Sequence, residues 1–380
     1  QSNSSVLVGE KVIVKTYRRL DAGIHPEIEI GRFLTDVAGY TNTPPLLGSV
    51  ERVGADGVPT AYAAALGFVA NQGDGWGYTL DHLDRALEEI RLTPEEGRRP
   101  PAEQHELYLT VARLLGRRTA ELHRAFAIDT DDPAFAREPV DSDDLQAWLA
   151  EARAQVEAGF KVLEQARHGA SEALAADIDA ALAARPAVEA ALGGQGGVPA
   201  GLAKTRLHGD YHLGQVLVAK GDIVILDFEG EPLRPMEERR AKASPLRDVA
   251  GMLRSFDYAA WSGVLRFAES DPTASEQILG PALAWRDLAR GAFMDGYREA
   301  IGDCPSWPAD PEEASKLLRL FTIQKLFYEV AYEAANRPTW LGIPLGGIRD
   351  LFREGGGGDA AATMAAAAGN GEGGDAALDG

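Results

Sequence analysis

Cysteine is nearly absent from the sequence, since Cys304 is the only one among 380 residues. A disulfide framework within the chain is therefore excluded. A lone thiol suits a reducing compartment, and we expect a cytoplasmic protein. No apolar run approaches the roughly 20 residues that a membrane-spanning helix needs, so we expect no membrane partner.

Positive charge is also scarce. Lys and Arg number 38 against 58 Asp and Glu, which gives a formal net charge of −20. A field of this sign repels nucleic acid and anionic membranes, so neither is an expected partner. Because it also repels anionic small molecules, any nucleotide site must supply its own positive groups or a metal ion.

Three regions of the chain differ in pattern. In residues 1–75, two β-branched runs flank the candidate turn Gly9–Glu10, Pro26 opens an acidic helix, and strands follow near 46–53 and 60–70. Residues 76–353 carry apolar residues at helical spacing, with short strands near 205–230. Residues 354–380 are rich in Gly, Ala and Asp, and we expect disorder there. The pattern predicts an α+β, bilobal protein with a small strand-rich first lobe, a larger helical lobe and a tail.

The most informative motif is HGDYHLGQ, residues 208–215, followed by Asp227 at the end of an apolar run. Phosphoryl transfer needs a carboxylate that accepts the proton of the attacking hydroxyl, and oxygen ligands that hold Mg²⁺ against the phosphates. We assign Asp210 as the base and Gln215 and Asp227 as metal ligands, with Glu229 as a further ligand, directly or through water. ATP and Mg²⁺ are therefore the expected cofactors.

Other interpretations fit parts of this motif. Asp and Gly favour turns, so HGD and DFEGE also suit surface turns. His208, Asp210 and His212 have the H-x-D-x-H spacing of some metal hydrolases, although the sequence holds no second His/Asp cluster. A kinase-like module without activity is a third alternative, and the presence of Lys15, Asp210, Gln215 and Asp227 argues against it.

These stretches resemble the aminoglycoside-phosphotransferase and choline-kinase superfamily, whose pattern is HGD-x-H-x-x-N followed by a strand ending in Asp. Gln215 stands where most members have Asn, and the bacterial maltokinases share this glutamine. Similarity to maltokinases covers nearly the whole chain, including NQGDGWGYTLDHL, ILDFEGEPLRPMEERRAKASPLRDVAGMLRSFDYAAW and YEVAYEAANRPTWLGIPL. It implies a protein-kinase-like fold, ATP as donor, maltose phosphorylated at its anomeric hydroxyl, and a trehalose synthase as fused or associated partner.

The resemblance also implies a nucleotide site in the first lobe. Lys15 is then the strand lysine that contacts the α- and β-phosphates, with Glu29 as its helix partner and Glu27 as the alternative. A solvated lysine is the other interpretation. A kinase-like sheet needs strands before the phosphate loop, so we expect a truncated first lobe and a cap domain or fusion partner before Gln1. The remaining implied nucleotide contacts are Ser2, Asn3 and Ser4 in the phosphate loop and Phe68 and Val69 at the adenine hinge.

Acceptor contacts are expected from the second lobe. Asp248 resembles the structural aspartate that braces the catalytic loop, while His208 and Arg254 are candidates for sugar contact. An ordinary salt bridge is the alternative for Arg254. The run 239–242 is interpreted as a solvated basic surface and His123 as structural.

A helix from about residue 321 carries tyrosines and carboxylates on one face. Rings cover the apolar face of a sugar and polar groups bind its hydroxyls, so we expect this helix to line the acceptor pocket opposite Asp210. The alternative is that the tyrosines pack inward and the acids pair with Arg337 or Lys325. Gln324 stands where the resemblance expects an acid, which keeps glucosamine as the alternative acceptor. The expected contacts are Tyr328, Glu329, Tyr332, Glu333 and Trp340.

Overall fold

The computed structural model describes residues 3–194, 196–232, 234–270 and 272–352, and for 268–270 and 272–276 the backbone alone. Ser2 and the predicted tail 354–380 lie outside the described residues. None of the helices in the described ranges combines the length and hydropathy of a membrane span. The chain divides into two compact units, Gln1–Pro139 with Leu202–Trp307 and Val140–Gly201 with Pro308–Gly380. The boundary expected at residue 75 falls inside the first of them.

The strands and helices follow one another along the chain in a mixed α+β order. The strands are β1 (Asn3–Val8), β2 (Val12–Tyr17), β3 (Leu46–Val53), β4 (Pro59–Gly67), β5 (Glu138–Pro139), β6 (Ala203–Lys204), β7 (Val216–Ala219) and β8 (Asp222–Ile225). The helices are α1 (Pro26–Arg32), α2 (Gly75–Leu92), α3 (Pro101–Gln104), α4 (Glu106–Phe126), α5 (Ser142–Ala166), α6 (Glu172–Ala183), α7 (Arg185–Gly193), α8 (Met236–Arg239), α9 (Leu246–Ser270), α10 (Pro272–Ile301), α11 (Pro311–Asn336) and α12 (Gly342–Phe352).

The first four strands form an antiparallel sheet in the order β1-β2-β4-β3. The Lys11 amide donates to the Val8 carbonyl (3.2 Å) across the turn from β1 to β2. Gly9 and Glu10 have φ values of 57° and 52° there. These left-handed values suit a hairpin turn, because its twist then matches that of the flanking strands. The predicted hairpin and its turn are confirmed.

Helix α1 covers this sheet with its apolar side. Pro26 lies in its first turn, followed by the acidic residues Glu27 and Glu29. Their negative charges interact favourably with the positive end of the helix dipole. Ile28 packs with Tyr17 and Ala64 in a buried cluster. The helix continues into a π-type turn, Phe33–Val37. The lysine-bearing strand β2 and α1 are therefore packed together.

Helices α4 and α10 approach each other unusually closely in the first unit. A Cβ on Gly116 of α4 would overlap the Phe293 carbonyl, and a Cβ on Gly296 of α10 would overlap the Arg113 carbonyl. Two backbones meet at these points because glycine carries no side chain. The contact fixes α4, whose His123 is fully buried with its Nδ1 2.7 Å from the Tyr297 hydroxyl.

The β7–β8 hairpin is anchored to two neighbouring elements. The guanidinium of Arg118, on α4, donates to both carboxylate oxygens of Asp222 at 2.8 Å. The Asn42 side-chain amide donates to the Ile223 carbonyl (2.9 Å), and the Ile225 amide donates to the Asn42 carbonyl (2.8 Å). The loop of residues 208–215, named the HGD loop below, runs directly into β7 and is thereby held at its end.

The second unit is helical. A capping box between Asp141 and Asp144 starts α5, since each side chain accepts from the backbone of the other. Helix α5 packs against α11, with the Phe160 and Phe327 ring centroids 4.8 Å apart. The helical spacing predicted within residues 76–353 corresponds here to α5, α6 and α7, and Ser171 caps the second of these through the Leu174 amide.

Candidate active site

A buried carboxylate organises the HGD loop. Asp248, near the start of α9, accepts hydrogen bonds from the amides of His208 (2.8 Å) and Gly209 (3.0 Å). Its Oδ2 also lies 3.2 Å from Nε2 of His123. Burial by itself raises the pKa of Asp248, but the His123 hydrogen bond and charge, with the loop contacts, outweigh it and hold the pKa below its ordinary value. Asp248 is therefore an ionised brace, as predicted.

His208 uses both ring nitrogens within the loop framework. Its Nε2 lies 2.7 Å from the Leu226 carbonyl, and because a carbonyl only accepts, this nitrogen carries the proton. Its Nδ1 then accepts from the Asp210 amide at 3.4 Å. The side chain is buried and these contacts lie within the protein, so a sugar contact by His208 stays a prediction. His208 ties the HGD loop to the residue before Asp227.

The predicted metal ligands Gln215 and Asp227 meet at the end of the β7–β8 hairpin. Asp210 is half-buried in the HGD loop, and the Gln215 side chain donates to the Asp227 carboxylate. Asp227 has φ of 64°, a left-handed value that is uncommon for a residue with a side chain. Backbone strain of this kind concentrates at functional sites, where the surrounding structure holds it in place.

Lys15 lies among three carboxylates. Its Nζ is 3.0 Å from Glu27 Oε1 and 2.5 Å from both Asp227 Oδ1 and Glu229 Oε1. Burial alone would lower the pKa of Lys15, but the three carboxylates outweigh it and raise the pKa well above the ordinary value. Burial likewise opposes the charge of Asp227, yet Lys15 and the Gln215 hydrogen bond keep its pKa low. The solvated-lysine interpretation is therefore wrong.

The helix partner of Lys15 is Glu27, and the preferred prediction of Glu29 is wrong. Residues two apart on a helix point in nearly opposite directions, so only one of them faces the sheet. Glu27 is almost fully buried there and accepts from the Tyr17 hydroxyl at 2.6 Å. Burial raises the pKa of Glu27 to about 7, against the opposing effect of Lys15. Glu29 pairs instead with Arg206 (2.7 Å) and Arg240 (2.6 Å).

The predicted phosphate-loop residues separate in the structure. The Asn3 side-chain amide donates to Glu229 Oε1 at 2.5 Å, which places β1 beside the carboxylate cluster. Ser4 turns away, because its hydroxyl accepts from the Arg18 guanidinium at 3.0 and 2.8 Å. Asn3 thus joins the cluster and the Ser4 side chain does not.

The expected adenine hinge follows β4 directly. The Phe68 amide donates to the Lys11 carbonyl (2.8 Å), and the Asn71 side chain donates to the Val69 carbonyl (2.9 Å). The Gln72 amide donates to the Val218 carbonyl of β7 at 2.8 Å. This segment therefore connects the four-stranded sheet to the hairpin that carries Asp227, and adenine binding by Phe68 and Val69 stays a prediction.

Two predictions about basic residues can be compared with the structure. Arg254 is 3% exposed and its guanidinium contacts the Asp257 carboxylate at 2.6 Å, as the salt-bridge alternative predicted, and its sugar contact stays a prediction. The run 239–242 is not simply a solvated surface, since Arg240 pairs with Glu29 and Lys242 with Glu138. The signal that was missed is the pairing of Glu29 with arginines distant in sequence.

The expected acceptor residues lie on and after α11 in the second unit. Glu329 and Glu333 are buried, and Glu333 pairs with Arg337 (2.5 Å), as the structural alternative predicted for it. The Arg337 guanidinium lies 4.7 Å from the Trp340 ring centroid. The rings of Tyr328 and Tyr332 stack with centroids 6.1 Å apart. A polar, aromatic patch therefore exists here, and its role as a sugar site stays a prediction.

The oxygen donors near Lys15 suit a divalent cation. Glu27, Asp227 and Glu229 each offer a carboxylate oxygen, and these atoms lie within 4.8 Å of one another. Gln215, whose side-chain amide donates to Asp227, also carries an oxygen of the type that binds Mg²⁺. Mg²⁺ prefers carboxylate and phosphate oxygens, so this set of oxygen ligands has the right chemistry. The ammonium group of Lys15 adds a positive charge beside it.

A carboxylate in a braced loop, a buried strand lysine and a cluster of oxygen ligands together define a phosphotransferase that acts on a hydroxyl acceptor. The chain belongs to the phosphotransferase enzyme family, which matches residues 1–266. The predicted superfamily is thereby confirmed, and the narrower resemblance to maltokinases stays a prediction.

Several similar proteins are glucosamine kinases. A glucosamine kinase from Streptacidiphilus jiangxiensis is 28% identical over 363 residues, 93% of this chain and 72% of that protein. A glucosamine kinase from Mycolicibacterium smegmatis is 28% identical over 358 residues, 93% of this chain and 78% of that protein. A glucosamine kinase structure with glucosamine, ADP and inorganic phosphate matches at TM-score 0.67 and 26% identity, over 91% of this chain and 74% of that one. This likeness confirms the predicted α+β kinase-like fold.

Proposed function

We propose that this protein is an ATP-dependent kinase of a small sugar, with glucosamine as the favoured acceptor. The observation that carries the reaction type is the convergence of Lys15, Asp227 and Glu229 beside the braced HGD loop. The acceptor is supported by the relatives, which are glucosamine kinases. They favour the alternative acceptor of the sequence analysis over maltose.

The proposed roles are supported by the contacts of these side chains within the site. Asp210 accepts the proton of the sugar hydroxyl as its oxygen forms a bond to the γ-phosphorus, while the bond from that phosphorus to the ADP oxygen breaks. Lys15, held charged by the surrounding carboxylates, binds the phosphates of the donor. Asp248 and His208 keep the HGD loop in place through the transfer.

Gln215, Asp227 and Glu229 are the residues that would hold Mg²⁺. A bound magnesium ion would offset the negative charge of the phosphates and of these carboxylates. Asn3, hydrogen-bonded to Glu229, would fix the orientation of that carboxylate. The roles of the remaining phosphate-loop and hinge residues rest on the resemblance.

The second unit is the proposed source of acceptor contacts. Glu329 is 6% exposed on α11, and a buried carboxylate interacts more favourably with the ammonium group of an amino sugar than with a neutral hydroxyl. Gln324, also buried, stands where the maltokinase resemblance expects an acid. Trp340 and the stacked tyrosines offer ring faces for the sugar's C–H groups.

An ADP-release assay with Mg-ATP tests the proposal. ADP release by the full chain is measured with glucosamine, with maltose, with glucose and without sugar. The Asp210→Asn variant is measured under the same conditions. We expect release that depends on glucosamine and falls by at least about 10²-fold in the variant, because loss of a general base typically costs that much. Product analysis by ³¹P NMR identifies the phosphorylated hydroxyl.

Each of the other possible results contradicts a different part of the proposal. Release that depends on maltose alone would keep the mechanism and reverse the acceptor assignment. Release that is equal with and without sugar would refute a sugar kinase. Full activity of Asp210→Asn would refute Asp210 as the base.

A further inference from the structure

A carboxylate between two arginines joins α1 to the polypeptide around the HGD loop. Glu29 Oε2 accepts from Arg206 Nη1 at 2.7 Å and from Arg240 Nε at 2.9 Å, while its Oε1 accepts from Arg240 Nη2 at 2.6 Å. Arg206 precedes His208 by two residues, and Arg240 lies between the metal-ligand segment and α9. One side chain of α1 therefore connects to both sides of the site.

The two acidic residues of α1, Glu27 and Glu29, lie on opposite faces of the helix and bind different partners. Two positions along a helix correspond to a rotation of about 200°. Glu27 accordingly faces β2 and holds Lys15, while Glu29 faces away from the sheet. Phe33, one turn after Glu29, stacks on Phe135 with ring centroids 3.8 Å apart. The salt bridges of Glu29 and the stacking of Phe33 on Phe135 therefore hold the outward face of α1 and the turn that follows it.

The charged contact is largely shielded from water. Arg206 is 1% exposed, and its guanidinium also lies over the Phe135 ring, 5.1 Å from the centroid. Burial lowers the pKa of Arg206 against the favourable effect of Glu29, so the buried guanidinium depends on this carboxylate. Burial would raise the pKa of Glu29, but Arg240 and Arg206 hold it low. Charge-assisted bidentate pairs of this kind impose orientation as well as attraction.

We propose that Glu29 is a positioning residue that locks α1 so that Glu27 presents Lys15 to the nucleotide. In kinases that are switched by phosphorylation, an arginine–phosphate contact orders the elements around the corresponding lysine–glutamate pair. Here Glu29 makes a contact of the same charge type from α1 itself, with Arg206 and Arg240. This inference rests on the proposed kinase function.

Nucleotide binding tests the lock without reference to the acceptor. Mg-ADP affinity is measured by calorimetry for wild type, Glu29→Gln and Arg240→Ala, at a temperature where circular dichroism finds each fully folded. We expect a loss of about 10-fold or more in affinity for Glu29→Gln, as for other residues that orient a ligand-binding side chain. In turnover, KM for ATP rises and KM for the sugar stays the same.

Glu299→Gln is the matched control. Glu299 also lies between two arginines, Arg113 (3.2 Å) and Arg117 (2.7 Å), but on an exposed surface of α4 and α10. We expect wild-type affinity for this variant, because exposed pairs contribute little. If Glu29→Gln fails to fold, Arg240→Ala still tests the inference. Arg240 is half-exposed, and its replacement leaves the contact between Glu29 and Arg206 in place.

Two results would overturn the inference. One is wild-type Mg-ADP affinity in both Glu29→Gln and Arg240→Ala, and the other is an equal loss of affinity in Glu299→Gln. Failure of the proposed function has a different signature, since sugar-independent ADP release would leave the affinity comparison intact.

Discussion

Replacing Asp248 by Asn should separate the positioning of the HGD loop from its chemistry. The carboxylate accepts from the amides of His208 and Gly209 and contacts Nε2 of His123. An asparagine presents one acceptor oxygen and one NH₂ donor, so at least one loop amide would face a donor. Losing the charge and leaving one buried amide unsatisfied should cost about 3–5 kcal/mol of folding free energy.

The catalytic cost should be larger than the binding cost. Asp210 follows Gly209 directly, and a shift of the loop by about 1 Å misaligns the base and lowers kcat by roughly 10²-fold. The KM for ATP should change little, because Lys15 and Asp227 do not contact Asp248. Steady-state kinetics and chemical denaturation measure both effects, with Asp303→Asn, at a fully exposed aspartate, as the control. A variant with wild-type kcat at full folding would refute the positioning argument.

The remaining predictions concern packing, pH and the acceptor. Gly296→Ala should destabilise by about 1–3 kcal/mol in thermal unfolding, since the new Cβ overlaps the Arg113 carbonyl, whereas a matched Gly280→Ala meets open space. Burial lowers the pKa of both His82 and His105 to about 4 from 6.5, so stability should be complete above pH 6.5 and fall as the pH drops from 6.5 toward 4, by at most about 3 kcal/mol for each histidine. His82→Phe, which keeps a ring on Tyr108, should make this profile less steep, and an unchanged profile would contradict the argument. Glu329→Gln should raise the KM for the sugar about 10-fold with KM for ATP unchanged, and equal changes in both constants would refute the acceptor role.

The turn and motif chemistry could be predicted because it is local. Gly9–Glu10 between β-branched runs indicates a hairpin, and the spacing from Asp210 to Gln215 and Asp227 indicates a phosphotransferase loop. In both cases the conformation and the chemistry depend on neighbouring residues. The structure accordingly brings Gln215 and Asp227 into hydrogen-bond contact.

The choice between Glu27 and Glu29 could not be made from the same reasoning. Both are acidic residues in the first turn of α1, and only the packing of Ile28 and Ile30 decides which one faces β2. The partners of the other glutamate, Arg206 and Arg240, are about 180 and 210 residues away in sequence and give no periodic signal. Contacts at such separations follow from the tertiary fold alone.

Arg254 illustrates the same limit for a buried charge. An arginine on a helix near the HGD loop fits sugar binding and a salt bridge equally well in sequence. The Asp257 carboxylate, three residues further on and 2.6 Å away, occupies its guanidinium inside the first unit. Spacing of three residues is visible in the sequence, so a test for local acid partners would have favoured the salt bridge.

The electrostatics of the cluster explain how a chain with a net charge of −20 binds an anionic nucleotide. Three carboxylates surround one lysine, which leaves a local charge near −2 when all are ionised. This arrangement repels free ATP and attracts a divalent cation, so the favourable donor is the metal–nucleotide complex rather than the nucleotide alone. Burial raises the pKa of Glu27 to about 7, so protonation of this carboxylate partly reduces the negative charge near neutral pH. Binding of nucleotide should therefore be weak in EDTA and recover with Mg²⁺, and tight binding in EDTA would mean that Lys15 alone overcomes the field.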